Sequence, residues 1–146
     1  EVGQGAGEGY TVNVPLEPGA GDADFAAIFA DVLLPIAQAY QPQLVIVSAG
    51  FDAHRADPLG SMQLSTEGFA ALCGQMKAFA ERVAGGKLVL TLEGGYDLDA
   101  LAGSVEACVD VLTGATAPTV KPDASRRVAD VISDVRATQK SYWPTG

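Results

Sequence analysis

Charged residues are scarce in this sequence of 146 residues, at 18% where about 25% is typical of soluble domains. The scarcity is greatest for basic residues, since nine Lys and Arg stand against 18 Asp and Glu and leave a net charge of −9. Proteins bind nucleic acid largely through Lys and Arg that replace counterions of the phosphate backbone, so we expect no nucleic-acid partner. With 48% apolar residues, the low charge also predicts that part of the surface faces another piece of protein.

Cysteine is almost absent, with Cys73 and Cys108 as the two examples. Two cysteines do not make a disulfide framework, and a chain long enough to bury a core needs none, which predicts a reducing, cytoplasmic setting. The sequence opens with neither a basic nor an apolar signal region, and no apolar run approaches the roughly 18 residues of a membrane span, so we expect no membrane partner. Because the first residue is Glu1 rather than Met, we expect a processed chain or a piece of a longer one.

Apolar residues recur with strand and helix periods along the chain. Strands are predicted at residues 10–14, 44–47 and 88–92, and helices at residues 22–40, 69–83, 101–112 and 123–140. The second and third strands are unbroken apolar runs, a pattern typical of strands buried on both faces of a parallel sheet. With a helix between them they form a βαβ unit, so the predicted fold class is α/β, in one domain, 1–146. Pro35 predicts a kink in the first helix, and Ser65 or Thr66 is expected to cap the second.

Two loops follow the buried strands and hold most of the chemically active side chains. Ligands of open α/β sheets bind beyond the carboxyl ends of the strands, and parallel strands bring both loops to the same rim. The first loop, at 48–60, contains Asp52, His54 and Asp57, and the second loop, at 92–98, contains a Glu-Gly-Gly-Tyr-Asp sequence. We therefore expect the candidate site at this rim.

Three segments carry a resemblance to a known family. They are Gly-Tyr-Thr-Val-Asn-Val-Pro-Leu at 9–16, Val-Ser-Ala-Gly-Phe-Asp-Ala-His at 47–54 with Asp-Pro-Leu-Gly at 57–60, and Leu-Glu-Gly-Gly-Tyr at 92–96. In this order they resemble the zinc-dependent histone deacetylases, especially bacterial and class II-like members such as acetylpolyamine amidohydrolases. The resemblance implies an arginase/deacetylase-like three-layer fold with a parallel sheet flanked by helices. It also implies that 1–146 is the carboxyl-terminal portion of one catalytic domain, whose amino-terminal portion is absent.

The resemblance implies roles for five residues. Asp57 matches an aspartate ligand of the family's zinc site, and Tyr96 matches the catalytic tyrosine, which donates to the oxygen of the scissile amide while zinc polarises its carbonyl. Gly94 and Gly95 resemble the glycines that line the acyl-lysine channel, and Leu64 lies where the family has an apolar channel residue. Without the motifs, Asp57 would be interpreted as a turn cap and Tyr96 as a loop anchor. For Leu64, core packing is as well supported as the channel role.

His54 and Asp52 are interpreted as supporting residues. His54 is the single histidine, and in the bacterial motif this position is neither a zinc ligand nor the base, so we expect it to be structural or to lie beside the ligand. Asp52 is expected to organise its loop, with its carboxylate accepting backbone N–H hydrogen bonds. A catalytic zinc takes three protein ligands, and the family's histidine-containing ligand motif and general-base histidines have no counterpart here. We therefore expect zinc in the complete domain, and neither zinc nor turnover in this chain alone.

The predicted function is zinc-dependent hydrolysis of the amide in acetyl-lysine peptides or acetylpolyamines, with the missing amino-terminal half or another protein chain as partner. A non-catalytic interaction or assembly fragment that keeps the scaffold is the alternative, because two ligands and the base are lacking. An arginase-like ureohydrolase is disfavoured because its two-manganese ligand motifs are absent. A nucleotide-binding module is also disfavoured, since Gly3, Gly5 and Gly7 do not fit G-x-G-x-x-G and precede a strand.

Overall fold

The computed structural model describes residues 1–144, in which helices pack against a short sheet. The helices are α1 (Asp22–Ile28), α2 (Leu34–Tyr40), α3 (Thr66–Ala84), α4 (Leu98–Thr113) and α5 (Arg126–Gln139). The strands are β1 (Val45–Ala49) and β2 (Leu88–Leu92). A 3₁₀ turn lies at Gly5–Gly7 and a π turn at Phe29–Leu33. This order of elements agrees with the predicted α/β class.

The two strands form the predicted parallel pair. Val45 lies opposite Leu88 at one end of the sheet, and Ala49 lies opposite Leu92 at the other. The connection between the strands contains α3, which packs along α4. The βαβ unit is therefore confirmed, and the carboxyl ends of both strands lie at the same end of the sheet.

One face of this sheet is covered by helices and the other is not. On the inner face, Val45 is buried against Phe79 and its neighbours on α3. On the outer face, Ile46 and Val89 lie side by side and are 64% and 46% exposed. The prediction that both strands are buried on both faces is therefore wrong for this chain, because no helix within residues 1–144 covers the outer face.

The segment at residues 10–14 forms no strand, so that prediction is wrong. The Thr11 N–H donates to the Val2 carbonyl, 3.4 Å away, and the Thr11 carbonyl accepts a hydrogen bond from Gln139 Nε2 at 2.9 Å. These two partners occupy main-chain groups of Thr11 that a neighbouring strand would otherwise use. The β-favouring side chains of Val12 and Val14 are used for packing instead, against the apolar cluster that α5 helps to form.

The predicted helix at 22–40 is divided by the π turn. The Leu34 N–H donates to the Phe29 carbonyl, five residues earlier, instead of the usual four. Pro35 causes this change, because its ring lacks an N–H and would collide with the carbonyl of Asp31 in a regular α-helix. A wider turn immediately before the proline avoids that collision, so the interruption lies at Phe29–Leu33 rather than at Pro35 itself.

By length and composition alone, the stretch Asp22–Tyr40 could cross a membrane, a property that it shares with the core helices of many soluble proteins. In this fold Ile28, Val32 and Ile36 are buried in a core cluster that also contains Ile132 of α5. Packing against α5 thus accounts for these three apolar side chains of the stretch.

Helix ends follow the capping chemistry of the sequence. The Ser65 hydroxyl accepts a hydrogen bond from the Gly68 N–H at 3.0 Å and caps α3, as predicted, and Gly85 ends this helix with a positive φ of 60°. α4 begins at Leu98, three residues before the predicted start at 101, because Asp97 caps it.

Candidate functional site

The loops after β1 and β2 meet at one end of the sheet. The Phe51 N–H donates to the Gly94 carbonyl at 2.8 Å, and the Glu93 N–H donates to the Ala49 carbonyl at 3.0 Å. These hydrogen bonds join the end of β1 and the first loop directly to the second loop. The predicted juxtaposition of the two loops is confirmed.

Asp57 bridges the two loops through its carboxylate. Oδ1 accepts hydrogen bonds from the backbone N–H groups of Leu59, at 2.9 Å, and Gly60, at 2.8 Å, both in the first loop. Oδ2 accepts a hydrogen bond from the backbone N–H of Tyr96 in the second loop, at 2.7 Å. Asp57 is 8% exposed. Three backbone donors therefore orient a buried carboxylate at the point where the loops meet.

The same hydrogen bonds set the charge of Asp57. Burial by itself raises the pKa of this carboxyl, but hydrogen bonds from backbone N–H groups more than offset burial and leave the pKa below its usual value. The donors are the three N–H groups of Gly60, Tyr96 and Leu59, and the N–H of Asp97 adds a smaller contribution. Asp57 is thus ionised at neutral pH, as a metal ligand must be. Because the folded-state pKa is lowered, the stability from these bonds is present above the usual carboxyl pKa and is lost as the pH falls through the folded-state value.

Tyr96, in the second loop, contacts Asp57 of the first loop through its main chain and has an exposed side chain. Its backbone N–H is held by Asp57, and the following residue, Asp97, accepts a hydrogen bond from the Ala100 N–H at 2.8 Å and begins α4. The Tyr96 side chain is 55% exposed, and its hydroxyl makes no hydrogen bond within residues 1–144. The main chain is therefore fixed on both sides, while the hydroxyl is accessible to a ligand.

The two glycines of the second loop have packing partners inside this chain. A Cβ at Gly94 would lie 2.6 Å from Asp52 Oδ2. Gly95 has a φ of +138°, and a Cβ there would lie 2.9 Å from Leu101 Cδ1 and 3.2 Å from Phe51 Cβ. Glycine adopts this conformation without the strain that a side chain would add. Close approach to a substrate, the role inferred from the resemblance, stays a prediction.

We expect Gly95→Ala to lower the free energy of unfolding by about 2–4 kcal/mol, because it combines an unfavourable backbone conformation with close contacts to Leu101 and Phe51. Gly85→Ala is the matched control, since Gly85 also has a positive φ, +60°, but no atom lies within 4 Å of a Cβ built there. This control should cost about 1 kcal/mol. Urea unfolding of both variants measures the difference, and equal losses would contradict the packing role of Gly95.

His54 supports the turn that leads to Asp57. Its Nδ1 accepts a hydrogen bond from the Ala56 N–H at 3.1 Å, which leaves the ring proton on Nε2, 3.4 Å from the Thr66 hydroxyl. The ring is buried and stacks on Phe69 at 6.3 Å between centroids. The His54 carbonyl also accepts a hydrogen bond from the Asp57 N–H at 2.9 Å. These contacts fit the interpretation of His54 as a structural residue.

Asp52 does not organise its loop in the predicted way. Its carboxylate lies against the main chain of Gly50 and Gly94, and it accepts no hydrogen bond from any residue in the range 1–144. The close contact is instead between the main chains of Asp52 and Gly60. A Cβ built at Gly60 would lie 1.7 Å from the Asp52 carbonyl oxygen. The loop is therefore held by the approach of two backbone segments, which only a glycine at 60 permits.

Leu64 is an interior residue and is 1% exposed. Its N–H donates to the Ala53 carbonyl at 3.1 Å, and its carbonyl accepts a hydrogen bond from the Arg55 N–H at 2.9 Å. Its side chain lines a partly open cavity of about 270 Å³ behind the first loop. This placement supports core packing, the alternative considered from the sequence, and a role in a substrate channel stays a prediction.

Two aspartates help to position the site: Asp22, which the sequence predicts as the N-cap of the first helix but which is its first residue, after the N-cap Gly21, and Asp97, to which the sequence analysis gave no role. Asp22 accepts hydrogen bonds from the Ser65 N–H, at 2.8 Å, and from the Ser65 hydroxyl, at 2.6 Å, and so anchors the start of α3 to α1. Asp97 caps α4 directly after Tyr96. An Asp before a helical period is a recognisable cap, so Asp97 could have been found. The Asp22 contact spans 43 residues and leaves no local signal in the sequence.

Metal-binding side chains are sparse around Asp57. Within residues 1–144, no group of three or more His, Cys, Asp and Glu side chains is placed to hold a metal ion. Asp57 is ionised, but both of its carboxylate oxygens already accept backbone hydrogen bonds, whereas the Asp52 carboxylate in the same loop accepts none within residues 1–144 and is the freer of the two to bind a metal. The first loop therefore holds two carboxylates, Asp52 and Asp57, where a catalytic zinc site takes three protein ligands.

Sequence comparisons place this arrangement in a known context. Residues 1–112 match the histone deacetylase domain family. Histone deacetylase 18 from Arabidopsis thaliana is 39% identical over 150 residues, an alignment that covers 99% of this chain and 21% of that protein. Polyamine deacetylase HDAC10 from Homo sapiens is 43% identical over 145 residues, which cover 97% of this chain and 21% of that protein. The chain thus spans about a fifth of the length of these two relatives.

Solved structures agree with the sequence comparisons. The histone deacetylase Clr3 superposes with a TM-score of 0.91 at 34% identity, covering 99% of this chain and 24% of that one. The HD domain of HDA15 superposes with a TM-score of 0.88 at 39% identity, covering 98% of this chain and 38% of that one. The predicted arginase/deacetylase-like fold is confirmed by these neighbours.

Proposed function

The chain belongs to the histone deacetylase family, and we propose that it is part of a zinc-dependent enzyme that hydrolyses the amide of acetyl-lysine side chains or acetylpolyamines. The observation that carries this proposal is the hydrogen bond from the Tyr96 N–H to Asp57 Oδ2, 2.7 Å long. It holds the main chain of Tyr96, the residue with the phenolic hydroxyl, directly against an ionised carboxylate at the rim of the sheet. Similarity to a relative named polyamine deacetylase supports the inclusion of acetylpolyamines.

Asp57 has the role of one zinc ligand in this proposal. Bound zinc would supply Lewis acidity toward the carbonyl of the scissile amide. The backbone donors Leu59, Gly60 and Tyr96 orient the Asp57 carboxylate and keep it ionised. The remaining ligands and the histidine base belong to the amino-terminal portion of the domain or to another protein chain.

Tyr96 has the role of hydrogen-bond donor to the reacting amide. Negative charge develops on the carbonyl oxygen as water adds, and a donor already oriented toward that oxygen stabilises the charge. The fixed main chain of Tyr96 provides the orientation, and its exposed hydroxyl provides the donor. The proton stays on the phenol in this role.

Substrate and location follow from the composition of the chain. A net charge of −9 favours cationic substrates, and both basic acetyl-lysine peptides and acetylpolyamines carry positive charge beyond the neutral amide. Gly94 and Gly95 would line the channel that admits the acyl group.

We place the protein in the cytoplasm, where free cysteines such as Cys73 and Cys108 stay reduced.

A non-catalytic assembly role is the second candidate. It is favoured by the exposed outer face of the sheet, where Ile46 and Val89 offer an apolar surface to a partner. In this case the chain would keep the deacetylase scaffold without turnover. Metal content and activity separate the two candidates.

The test compares the complete protein that contains this chain with residues 1–146 alone. We expect one zinc per molecule and acetate release from an acetyl-lysine peptide or acetylspermidine for the complete protein. For residues 1–146 alone we expect neither, because one carboxylate does not retain zinc. Equilibrium dialysis with metal analysis and an acetate assay measure both quantities. Tightly held zinc in the short chain would contradict the ligand assignment, and a complete protein that releases no acetate would favour the assembly role.

A further inference from the structure

Two cysteine thiols meet between α3 and α4, away from Asp57 and Tyr96. Cys73 lies on α3 and Cys108 on α4, and both are buried, unoxidised residues. The Cys73 thiol lies 3.8 Å from the Cys108 carbonyl oxygen, to which it donates. Ala70 and Val111 belong to the same packed cluster. The short distance from Sγ to the facing main chain shows that the two helices are close together at this point.

The two thiols are chemically unequal. A side-chain hydrogen bond donated by the Cys108 thiol to the Cys73 sulfur lowers the pKa of the Cys73 thiol, burial opposes this effect, and the positive charge of Lys77 adds to it. The hydrogen bond, burial and the charge of Cys73 all raise the pKa of the Cys108 thiol. Lys77 is held near the pair because its Nζ donates to the Val111 carbonyl at 2.9 Å. Cys73 lies one helical turn before the Lys77 ammonium on α3, so it is the better nucleophile of the two.

Both thiols also line a space that a small molecule can enter. The partly open cavity of about 270 Å³ behind the first loop has Cys73 and Cys108 in its wall, together with Phe51 and Leu64. This volume exceeds that of a hydrogen peroxide molecule, which is similar in size to water at about 30 Å³. The remaining wall is mainly apolar, and Met76 is the other sulfur-containing side chain in it.

We propose that Cys73 and Cys108 form a site of reversible peroxide oxidation, in which Cys73 is the attacking thiol and Cys108 the resolving thiol. The Cys73 thiolate attacks one peroxide oxygen, an S–O bond forms, the O–O bond breaks, and the leaving hydroxide takes a proton to become water. The Cys108 sulfur then displaces water from the sulfenic acid on Cys73 as the S–S bond forms. Two thiols are oxidised by two electrons in total, and one peroxide is reduced to two waters.

The resulting disulfide would join the two helices that follow the two loops. α3 begins at Thr66 after the first loop, and α4 begins at Leu98 after the second. A covalent link between them would fix the spacing of these helices and fill the inner end of the cavity. This proposal does not rest on zinc or on deacetylation, so its test is independent of the proposed function.

Peptide mapping of the complete protein after exposure to hydrogen peroxide tests the proposal, whatever other cysteines are present. Trypsin releases Cys73 in peptide 56–77 and Cys108 in peptide 88–126, since Pro122 blocks cleavage after Lys121. We expect these peptides to appear joined, about 2 Da lighter than their summed reduced masses, and to separate again with dithiothreitol. Joined peptides absent from folded protein and present only after unfolding in urea would overturn the proposal.

Two variants test the order of the steps. Cys108→Ser should stop at a sulfenic acid on Cys73, which dimedone traps, while Cys73→Ser should react at Cys108 at least about 10-fold more slowly. Equal rates at the remaining thiol of the two variants would contradict the assigned roles. Circular dichroism checks that both variants fold. If either variant does not fold, peptide mapping of the wild-type protein still tests whether the disulfide forms.

Discussion

Replacement of Asp57 by alanine is expected to remove bound zinc and deacetylase activity together from the complete protein. The substitution deletes an ionised ligand, so zinc affinity should fall at least about 100-fold, the upper range seen when only a supporting residue is lost. It also leaves the backbone N–H groups of Leu59, Gly60 and Tyr96 without their acceptor. Metal analysis after dialysis and an acetate-release assay on the same preparation measure the two losses.

Asp52→Ala is the matched control for this variant. Asp52 is a second carboxylate in the same loop, and its side chain accepts no hydrogen bond within residues 1–144. Zinc retained in Asp52→Ala would support Asp57 as the ligand, and zinc lost in Asp52→Ala but kept in Asp57→Ala would assign the ligand to Asp52, whose oxygens accept no hydrogen bond. Unchanged zinc content in Asp57→Ala would remove Asp57 from the ligand set, and equal losses in both variants would indicate a general effect on the loop.

Tyr96→Phe is expected to keep zinc and to lower kcat by about 10²- to 10³-fold, the effect of removing one donor to a developing oxyanion. The variant loses only the phenolic hydroxyl. Its backbone N–H still donates to Asp57, so the ligand keeps its orientation. KM should change little, because the hydrogen bond strengthens mainly in the transition state. Steady-state kinetics with metal analysis separate these effects.

Tyr10→Phe provides the comparison, since Tyr10 is another exposed tyrosine that lies in an aromatic group with Tyr40 and Trp143. Loss of its hydroxyl should leave kcat unchanged. An unchanged kcat in Tyr96→Phe would exclude the proposed donor role. Loss of zinc in Tyr96→Phe would instead show that the ring supports the ligand.

The features that could be predicted from the sequence are those set by neighbouring residues. The apolar runs before the two loops predict the strands, and the intervening helical period predicts the βαβ unit. Ser65 before α3 and Gly85 after it supply local start and stop signals. Parallel strands then bring the loops to one rim by geometry alone, which is why the meeting of the Asp57 and Tyr96 loops could be expected.

The features that were missed depend on distant partners. Residues 10–14 have strand-forming side chains, but Gln139 occupies the Thr11 carbonyl that a strand would use. Burial of Ile46 and Val89 requires a covering layer that local sequence does not reveal. The carboxylate of Asp52 lies near two glycines, and a motif cannot show whether it finds a donor there. Each of the three outcomes depends on contacts between residues that are far apart in the sequence.

The uncovered outer face of the sheet affects how the chain behaves at high concentration. Ile46 and Val89 form an apolar patch, and each strand has one edge that pairs with no other strand in the described part of the chain. Such edges can pair with strands from other copies. Where no other segment covers this face, self-association therefore competes with folding, and the fraction of chains that stay dispersed falls as their concentration rises.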